Sequence, residues 1–378
     1  MDIHRSRTSK PPKLLLLDTS ERVAVLPTNF IQSLERSPRQ MANGTLELYA
    51  GRIRDFCSFL EGHKVFGQVR VDDAILAIGL PVLDEFYRSC IARGLGKSTV
   101  RGYEVVLKMF TDWLTTEEAN RVKANPIYEN LAYRTSKPSK RMPRYLTVDD
   151  VVTLLLGMHW ELHRLISHFI FDTGLRVSEV PRVLKKDLPL LEQYPSTQMY
   201  FPLFVRGSKG RGGEIKERYT IISRAVLARL NRYFKTRTYF TNHDWPEGDK
   251  PAFLNTYGEL ITAEAIQKFI ADALARTRLS AASPHRLRHG TAYSVMKSEH
   301  GKSLLDNLVV LQRALGHNQL STTEIYTHIP APVLQRMTED GGPSDIRFRF
   351  EEAQTILDVT YLPEKKQPKV RKIGIRNV

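Results

Sequence analysis

Cysteine is almost absent from this chain: Cys57 and Cys90 are the only two in 378 residues. Two thiols cannot build a disulfide framework or a cysteine-rich metal site. Both fall in helical-looking stretches and read as small core residues of a protein kept in a reducing compartment. Long apolar runs are missing too. Leu14-Leu15-Leu16-Leu17 is far too short for a membrane span, and Met1 to Lys13 before it is basic and polar rather than signal-like. The expectation is a soluble, cytoplasmic protein. Acidic residues are in deficit, with 41 Asp and Glu against 56 Lys and Arg, a net charge of +15 and a pI near 9.7. A small-molecule enzyme has no need of that excess, whereas a polyanion, nucleic acid first, would answer it. No internal repeat is found. At 42% hydrophobic and 26% charged residues the composition is globular, and the length suits two domains.

Residues 1–26 read as a basic, flexible arm: Arg5, Arg7, Lys10 and Lys13 alternate with Ser, Thr and Pro without a helical period. Residues 27–120 are helical by pattern. Leu46, Tyr49, Ile53, Phe56 and Leu60 recur at helical spacing, and Ser98 is expected to cap a helix over 99–114. Arg52, Arg54, Arg101 and Lys108 fall on the polar faces of this bundle, where they suit either solvent or DNA. Residues 121–144 form a basic linker broken by Pro126, Pro138 and Pro143. A second domain, 145–336, opens at the capping box Thr147-Val148-Asp149-Asp150. Its pattern gives helices near 148–157, 160–173, 223–236, 262–277, 286–299, 303–315 and 322–328. Two strands, 198–205 and 215–222, flank the glycine-rich turn 207–213. Residues 337–378 are a tail. The fold class is mostly α with one small antiparallel sheet.

Six side chains in the second domain make a chemical set. Arg176 follows a helix that Gly174 ends, with apolar Leu175 and Val177 beside it. His285 and Arg288 stand three apart at a helix start and share a face. A zinc reading of His285 and His289 fails because Arg286 stands where a protease helix needs glutamate, and Arg288 would repel a dication. Lys209 sits in the glycine-rich turn. His317 follows the helix stop Gly316, and Tyr326 lies early in a helix that Ser321 and Glu324 cap. No acid pair for a divalent metal accompanies them. Two arginines, two histidines, a lysine and a tyrosine suit metal-free attack on a phosphodiester: cations neutralise the phosphate, tyrosine attacks, and proton carriers serve both oxygens.

Thr173-Gly174-Leu175-Arg176-Val177-Ser178-Glu179, His285-Arg286-Leu287-Arg288-His289, Leu315-Gly316-His317 and Ile325-Tyr326-Thr327-His328 together resemble the motif set of the tyrosine recombinases of the phage integrase family. The resemblance spans about residues 28–336. It implies that 27–120 is a core-binding domain that closes with the catalytic domain, 145–336, as a clamp on double-stranded DNA. It implies a nucleophile at Tyr326 that forms a 3′-phosphotyrosyl link. Arg176 and Arg288 would hold the phosphate, His285 would accept the proton, His317 would support the transition state, and Lys209 would protonate the leaving 5′-oxygen. Lys216 competes with Lys209, because the turn is longer than the family's usual one. No cofactor, metal or ATP is implied. A tetramer on two DNA sites is, with accessory DNA-bending or directionality proteins, a nucleoid-associated location, and a C-terminal tail that docks on a neighbouring subunit. The element served, for integration, excision or transposition, is not written in the motifs. The alternatives are a type IB topoisomerase and a catalytically silent DNA-binding protein of the same fold.

Overall fold

The structure is a computed structural model that describes residues 1–6, 13–37, 41–129, 132–136, 146–207, 215, 217–240, 245–246, 248–288 and 345–367. The chain divides into two compact units between residues 141 and 142. Among the described residues no helix is long and apolar enough to cross a membrane.

The first unit is a helical bundle with a small hairpin added. Its helices are α1 (Val25–Arg36), α2 (Asn43–Glu61), α3 (Val71–Ala77), α4 (Leu80–Ala92) and α5 (Lys97–Trp113). Phe30, Phe56, Phe86 and Phe110 fill its core, with Cys57 and Cys90 buried beside them. Helix α1 brings no capping side chain of its own. Asp72, in the first turn of α3, instead accepts from the backbone N–H groups of Val25 at 2.9 Å and Leu26 at 2.8 Å. Ser98 does not cap α5. The helix starts earlier because the Gly96 carbonyl accepts from Thr99 at 2.8 Å and Val100 at 3.1 Å.

The reading of residues 1–26 as a flexible arm needs correction. Strands β1 (Asp2–Arg5) and β2 (Leu14–Leu17) pair antiparallel, with Asp2 opposite Leu17 and Arg5 opposite Leu14. Leu16 is fully buried, its N–H donates to Thr28 Oγ1 at 3.1 Å, and the Met1 ammonium reaches Glu61 at 3.1 Å. The four-leucine run is thus a strand seated on α1 and α2.

The linker reading also narrows. Tyr128 is buried, and its hydroxyl lies 2.6 Å from that of Tyr87. Glu104 of α5, fully buried, accepts from the backbone N–H groups of Arg134 and Thr135 and from Thr135 Oγ1. Arg101 donates to the Thr135 carbonyl at 2.9 Å and lies over the Tyr133 ring at 3.6 Å. Residues 132–136 therefore belong to the first unit. Arg101, Arg52 (to the Gly102 carbonyl, 2.9 Å) and Arg54 (to Asp55, 2.7 Å) all have partners within the bundle.

The second unit contains α6 (Val148–Leu156), α7 (Glu161–Thr173), β3 (Tyr200–Val205), β4 (Arg218–Ser223), α8 (Arg224–Phe234), α9 (Arg237–Phe240), α10 (Ala263–Leu274) and a C-terminal helix, Asp345–Thr360. The capping box is present: Asp150 N–H donates to Thr147 Oγ1 at 3.2 Å, and Thr147 N–H donates to Asp150 at 3.0 Å. Helix α7 is central. It packs against α6, α8, α10, β4 and the C-terminal helix, and its residues 165–173 are all buried. Strands β3 and β4 pair antiparallel from Tyr200–Ser223 to Val205–Arg218.

In this single chain the C-terminal helix packs on its own unit, with Ile356 in the main core and Leu357 and Ala353 against Ala225. Its end is held by a buried ion pair. Arg229 donates to both oxygens of Glu161 at 2.6 and 2.9 Å and to Thr360 Oγ1 at 3.0 Å, while Leu362 N–H donates to Glu161 at 2.8 Å.

Candidate active site

Gly174 ends α7 in the left-handed region at φ 67°, which glycine adopts without cost, and its N–H returns to Ile170 O at 2.9 Å. The turn it opens delivers Arg176. Strand β4 fastens that turn from one face. Thr220 Oγ1 donates to the Thr173 carbonyl at 2.9 Å, and Ser223 N–H donates to Asp172 at 2.7 Å. Period-two alternation puts Arg218 on the same buried face as Thr220.

Arg288 arrives from a separate helical start. Residues 284–288 are helical, and Ser283 Oγ caps them by accepting from Arg286 N–H at 3.2 Å. Arg288, only 2% exposed, donates to the Gly174 carbonyl at 2.6 Å, joining positions 114 apart in sequence. The two arginine boxes thus meet at one helix end.

Burial and the neighbouring Arg176 push the Arg288 guanidinium down to about 9, still charged at neutral pH. His285, exposed beside it, is held below its ordinary value, first by partial desolvation and then by the charges of Arg288 and Arg176. It is therefore neutral at pH 7, as a proton acceptor must be. Arg176 keeps 38% of its side chain open. One buried guanidinium, one open guanidinium and one neutral imidazole make a site able to receive an anion and a proton.

Glu179 is the residue this arrangement turns on, although it stands outside the six candidates. Its carboxylate, fully buried, accepts from Arg218 at 2.6 and 2.8 Å, from Arg176 N–H at 2.8 Å and from the Arg176 guanidinium at 3.0 Å. Burial works against its charge. The hydrogen bonds and charge of Arg218, then those of Arg176, outweigh it and hold the carboxyl at about 2. The available signal was an acid amid apolar Val177, Val180 and Val183.

Three of the six candidate residues, Arg176, His285 and Arg288, are described and lie together. Lys209, its competitor Lys216, His317 and Tyr326 lie outside the described residues, as do His289 and the helices expected beyond 288 and up to 328. The connection that carries Lys209 is anchored at its near end. Arg206 pairs with Asp187 through two bonds of 2.7 and 2.8 Å, and Arg182 donates to the Gly207 carbonyl at 3.1 Å.

The phage integrase family model matches residues 144–331, a span that contains all six candidates. A tyrosine recombinase XerC of Halalkalibacterium halodurans is 29% identical over 303 residues, covering 78% of this chain and 88% of that protein. A tyrosine recombinase XerC of Escherichia coli O157:H7 is 30% identical over 242 residues, covering 63% of this chain and 72% of that protein. Among solved structures, the Tn1549 transposon integrase in complex with circular intermediate DNA matches with a TM-score of 0.54 at 17% identity, covering 83% of this chain and 99% of that chain. XerH bound to palindromic difH substrate matches with a TM-score of 0.52 at 20% identity, covering 81% and 83%. At those identities the structures speak for the fold alone. By its motifs, its fold and its relatives, this chain belongs to the phage integrase family and is a tyrosine site-specific recombinase.

Proposed function

We propose that the chain cuts and rejoins double-stranded DNA through a covalent link between Tyr326 and a 3′-phosphate, without metal or ATP. The observation that carries this reading is the meeting of Arg176 and Arg288 at the end of α7 beside a neutral His285. Arg176 and Arg288 neutralise the non-bridging oxygens of the scissile phosphate. Tyr326 Oη forms the bond to phosphorus as the bond to the 5′-oxygen breaks. The tyrosine proton passes to His285, and Lys209 supplies the proton that the leaving 5′-oxygen takes up. His317 donates a hydrogen bond to the phosphate in the transition state. Each step exchanges one phosphoester for another, so rejoining needs no external energy: a 5′-hydroxyl attacks the phosphotyrosine and releases Tyr326.

The neighbours' DNA complexes support a duplex substrate. The basic balance of +15 supports it independently. We place the chain on two duplexes as an oligomer, a tetramer by resemblance, with accessory DNA-bending or directionality proteins. The biological task we assign is integration, excision or transposition of a mobile element, in line with the transposon integrase among its structural neighbours.

The test begins by mapping where the purified chain cuts in its own genomic neighbourhood, which supplies a nicked suicide duplex. A covalent adduct is expected with the wild-type chain and none with Tyr326→Phe. An adduct that survives that substitution removes Tyr326 from the role. Capture of two duplexes in one complex supports recombination; relaxation of any supercoiled plasmid by a monomer would make the chain a topoisomerase.

A further inference from the structure

We propose that Arg182 and the Arg206–Asp187 pair are positioning residues for leaving-group protonation: they clip the end of β3 to the segment that follows Arg176, so that Lys209, two residues on, starts from a fixed point. The inference rests on the reading above that Lys209 gives its proton to the 5′-oxygen.

One stretch of chain carries both halves of the clip. After Glu179, residues 180–182 make a single 3₁₀ turn, and the Arg182 N–H returns to the Glu179 carbonyl at 3.0 Å. Residues 185–187 make a second, with Asp187 accepting from Leu184 N–H at 3.0 Å. From the first turn the Arg182 guanidinium donates to the Gly207 carbonyl at 3.1 Å. In the second, the Asp187 carboxylate is only 5% exposed and takes the Arg206 fork, Nε on Oδ2 at 2.7 Å and Nη2 on Oδ1 at 2.8 Å. A fork on a carboxylate fixes direction as well as distance.

The clip acts where β3 stops. Val205 and Arg218 are the last pair of β3 with β4, and Arg206 and Gly207 lie just past it. Gly207 turns the chain there in the left-handed region, at φ 69°. Two residues of chain span at most about 7 Å, so a Gly207 held in place bounds where Lys209 can be. The stretch that supplies this bound is continuous with the Arg176 turn. A general acid must meet its oxygen within hydrogen-bond reach, and a misplacement of about 1 Å costs up to about 100-fold. In the step concerned, the bond from phosphorus to the 5′-oxygen breaks and that oxygen takes a proton from the Lys209 ammonium. With sulfur in place of the oxygen, the thiolate leaves without a proton.

The experiment uses the full chain on two nicked suicide duplexes of the mapped site, one with the natural 5′-oxygen and one with a 5′-bridging sulfur at the cleaved linkage. Single-turnover adduct formation and duplex affinity, by fluorescence anisotropy, are read for Arg182→Gln, Arg206→Gln, Arg206→Lys and Lys209→Ala. On oxygen, Arg182→Gln and Arg206→Gln should each be slowed about tenfold with affinity within about threefold. Arg206→Lys, which keeps the charge but loses the fork, should fall between wild type and Arg206→Gln. On sulfur all three should cleave within about threefold of wild type, because no proton has to be delivered. The proposal is overturned if either glutamine variant cleaves the oxygen duplex within about threefold of wild type, if its loss is entirely in affinity, or if it is slowed equally on oxygen and sulfur, as a merely structural role requires. Arg182→Gln breaks one bond and strands no buried charge, so it decides alone should circular dichroism show Arg206→Gln unfolded. Lys209→Ala separates this inference from the reading it rests on. If sulfur fails to restore Lys209→Ala, Lys209 is not the acid and both fail; if sulfur restores it while the clip variants cleave like wild type on oxygen, the inference alone fails.

Discussion

The first unit holds its helices with aromatic rings. Phe30, Phe56, Phe86 and Phe110 lie fully or almost fully buried, with Phe56 and Phe86 edge to face at 5.2 Å. Its one fully buried acid among the described residues, Glu104, pins residues 134 and 135 where the chain leaves the bundle. The second unit places ion pairs inside its core. Glu161 and Arg229 hold the C-terminal helix, and Glu179 and Arg218 hold the arginine site. Buried charge in both units fixes segments that apolar packing would leave loose, because a buried carboxylate accepts only defined donors. The difference is in what is fixed: an exit segment in one unit, the Arg176 turn and a closing helix in the other.

The second unit is most sensitive at Arg229. Arg229→Ala leaves Glu161 buried without its cation, which costs about 3 to 5 kcal/mol. Urea unfolding followed by hydrogen exchange should show the second unit, led by the C-terminal helix, destabilised while α2 and α5 keep their protection. Equal loss in both units would mean that the ion pair does not act locally.

Acid should also separate the units. Burial, then Arg276, holds His163 at about 4 where it stacks on Phe269 at 4.1 Å, and burial, then Arg229, holds the fully buried His168 well below its ordinary value. A depressed pKa means the unfolded chain binds the proton more readily. The stability these histidines allow is complete above pH 6.5 and is lost as pH falls through 6.5 toward 4. Glu179 adds a further loss below about pH 4.5, since its folded value is about 2. For His163 the loss is about 2 to 3 kcal/mol. His163→Phe, which keeps a stacking ring, should flatten the profile of stability against pH between 6.5 and 4; an unchanged profile would contradict the assignment.

Glu104→Ala should have the smallest effect on stability, about 1 to 2 kcal/mol, because the N–H groups it frees can turn to water. Its signature is local. Limited proteolysis should gain cuts at Tyr133 and Arg134 that the wild-type chain resists. A digest identical to wild type would show that Glu104 does not hold the exit segment.

Legibility followed the range of the interaction. The Thr147 and Asp150 capping box, the Gly174 stop, and the spacing of His285 and Arg288 are local rules of three or four residues, and the structure reproduces them. The fold class was legible for the same reason, since helical periods and one hairpin declare themselves locally. The arginine boxes pointed to phosphate chemistry through their residue types. What stayed hidden depends on partners far apart: Arg218 with Glu179, Arg229 with Glu161, Asp72 capping α1, and Leu16 seated on the bundle. A trace existed for some of them. Glu104 falls on the apolar stripe of α5 beside Val100, Tyr103 and Leu107, where a charge demands a partner. Nothing local says which donor answers it.

The most direct measurement of the central claim is the identity of the residue that carries DNA after cleavage. The wild-type adduct, trimmed by nuclease and digested with trypsin, should carry its nucleotide on the peptide spanning residues 314–336, in which Tyr326 is the sole tyrosine. Fragmentation should place a 3′-linked phosphate on the Tyr326 oxygen. A nucleotide found on any other residue, or a 5′-linked one on this residue, would contradict the account.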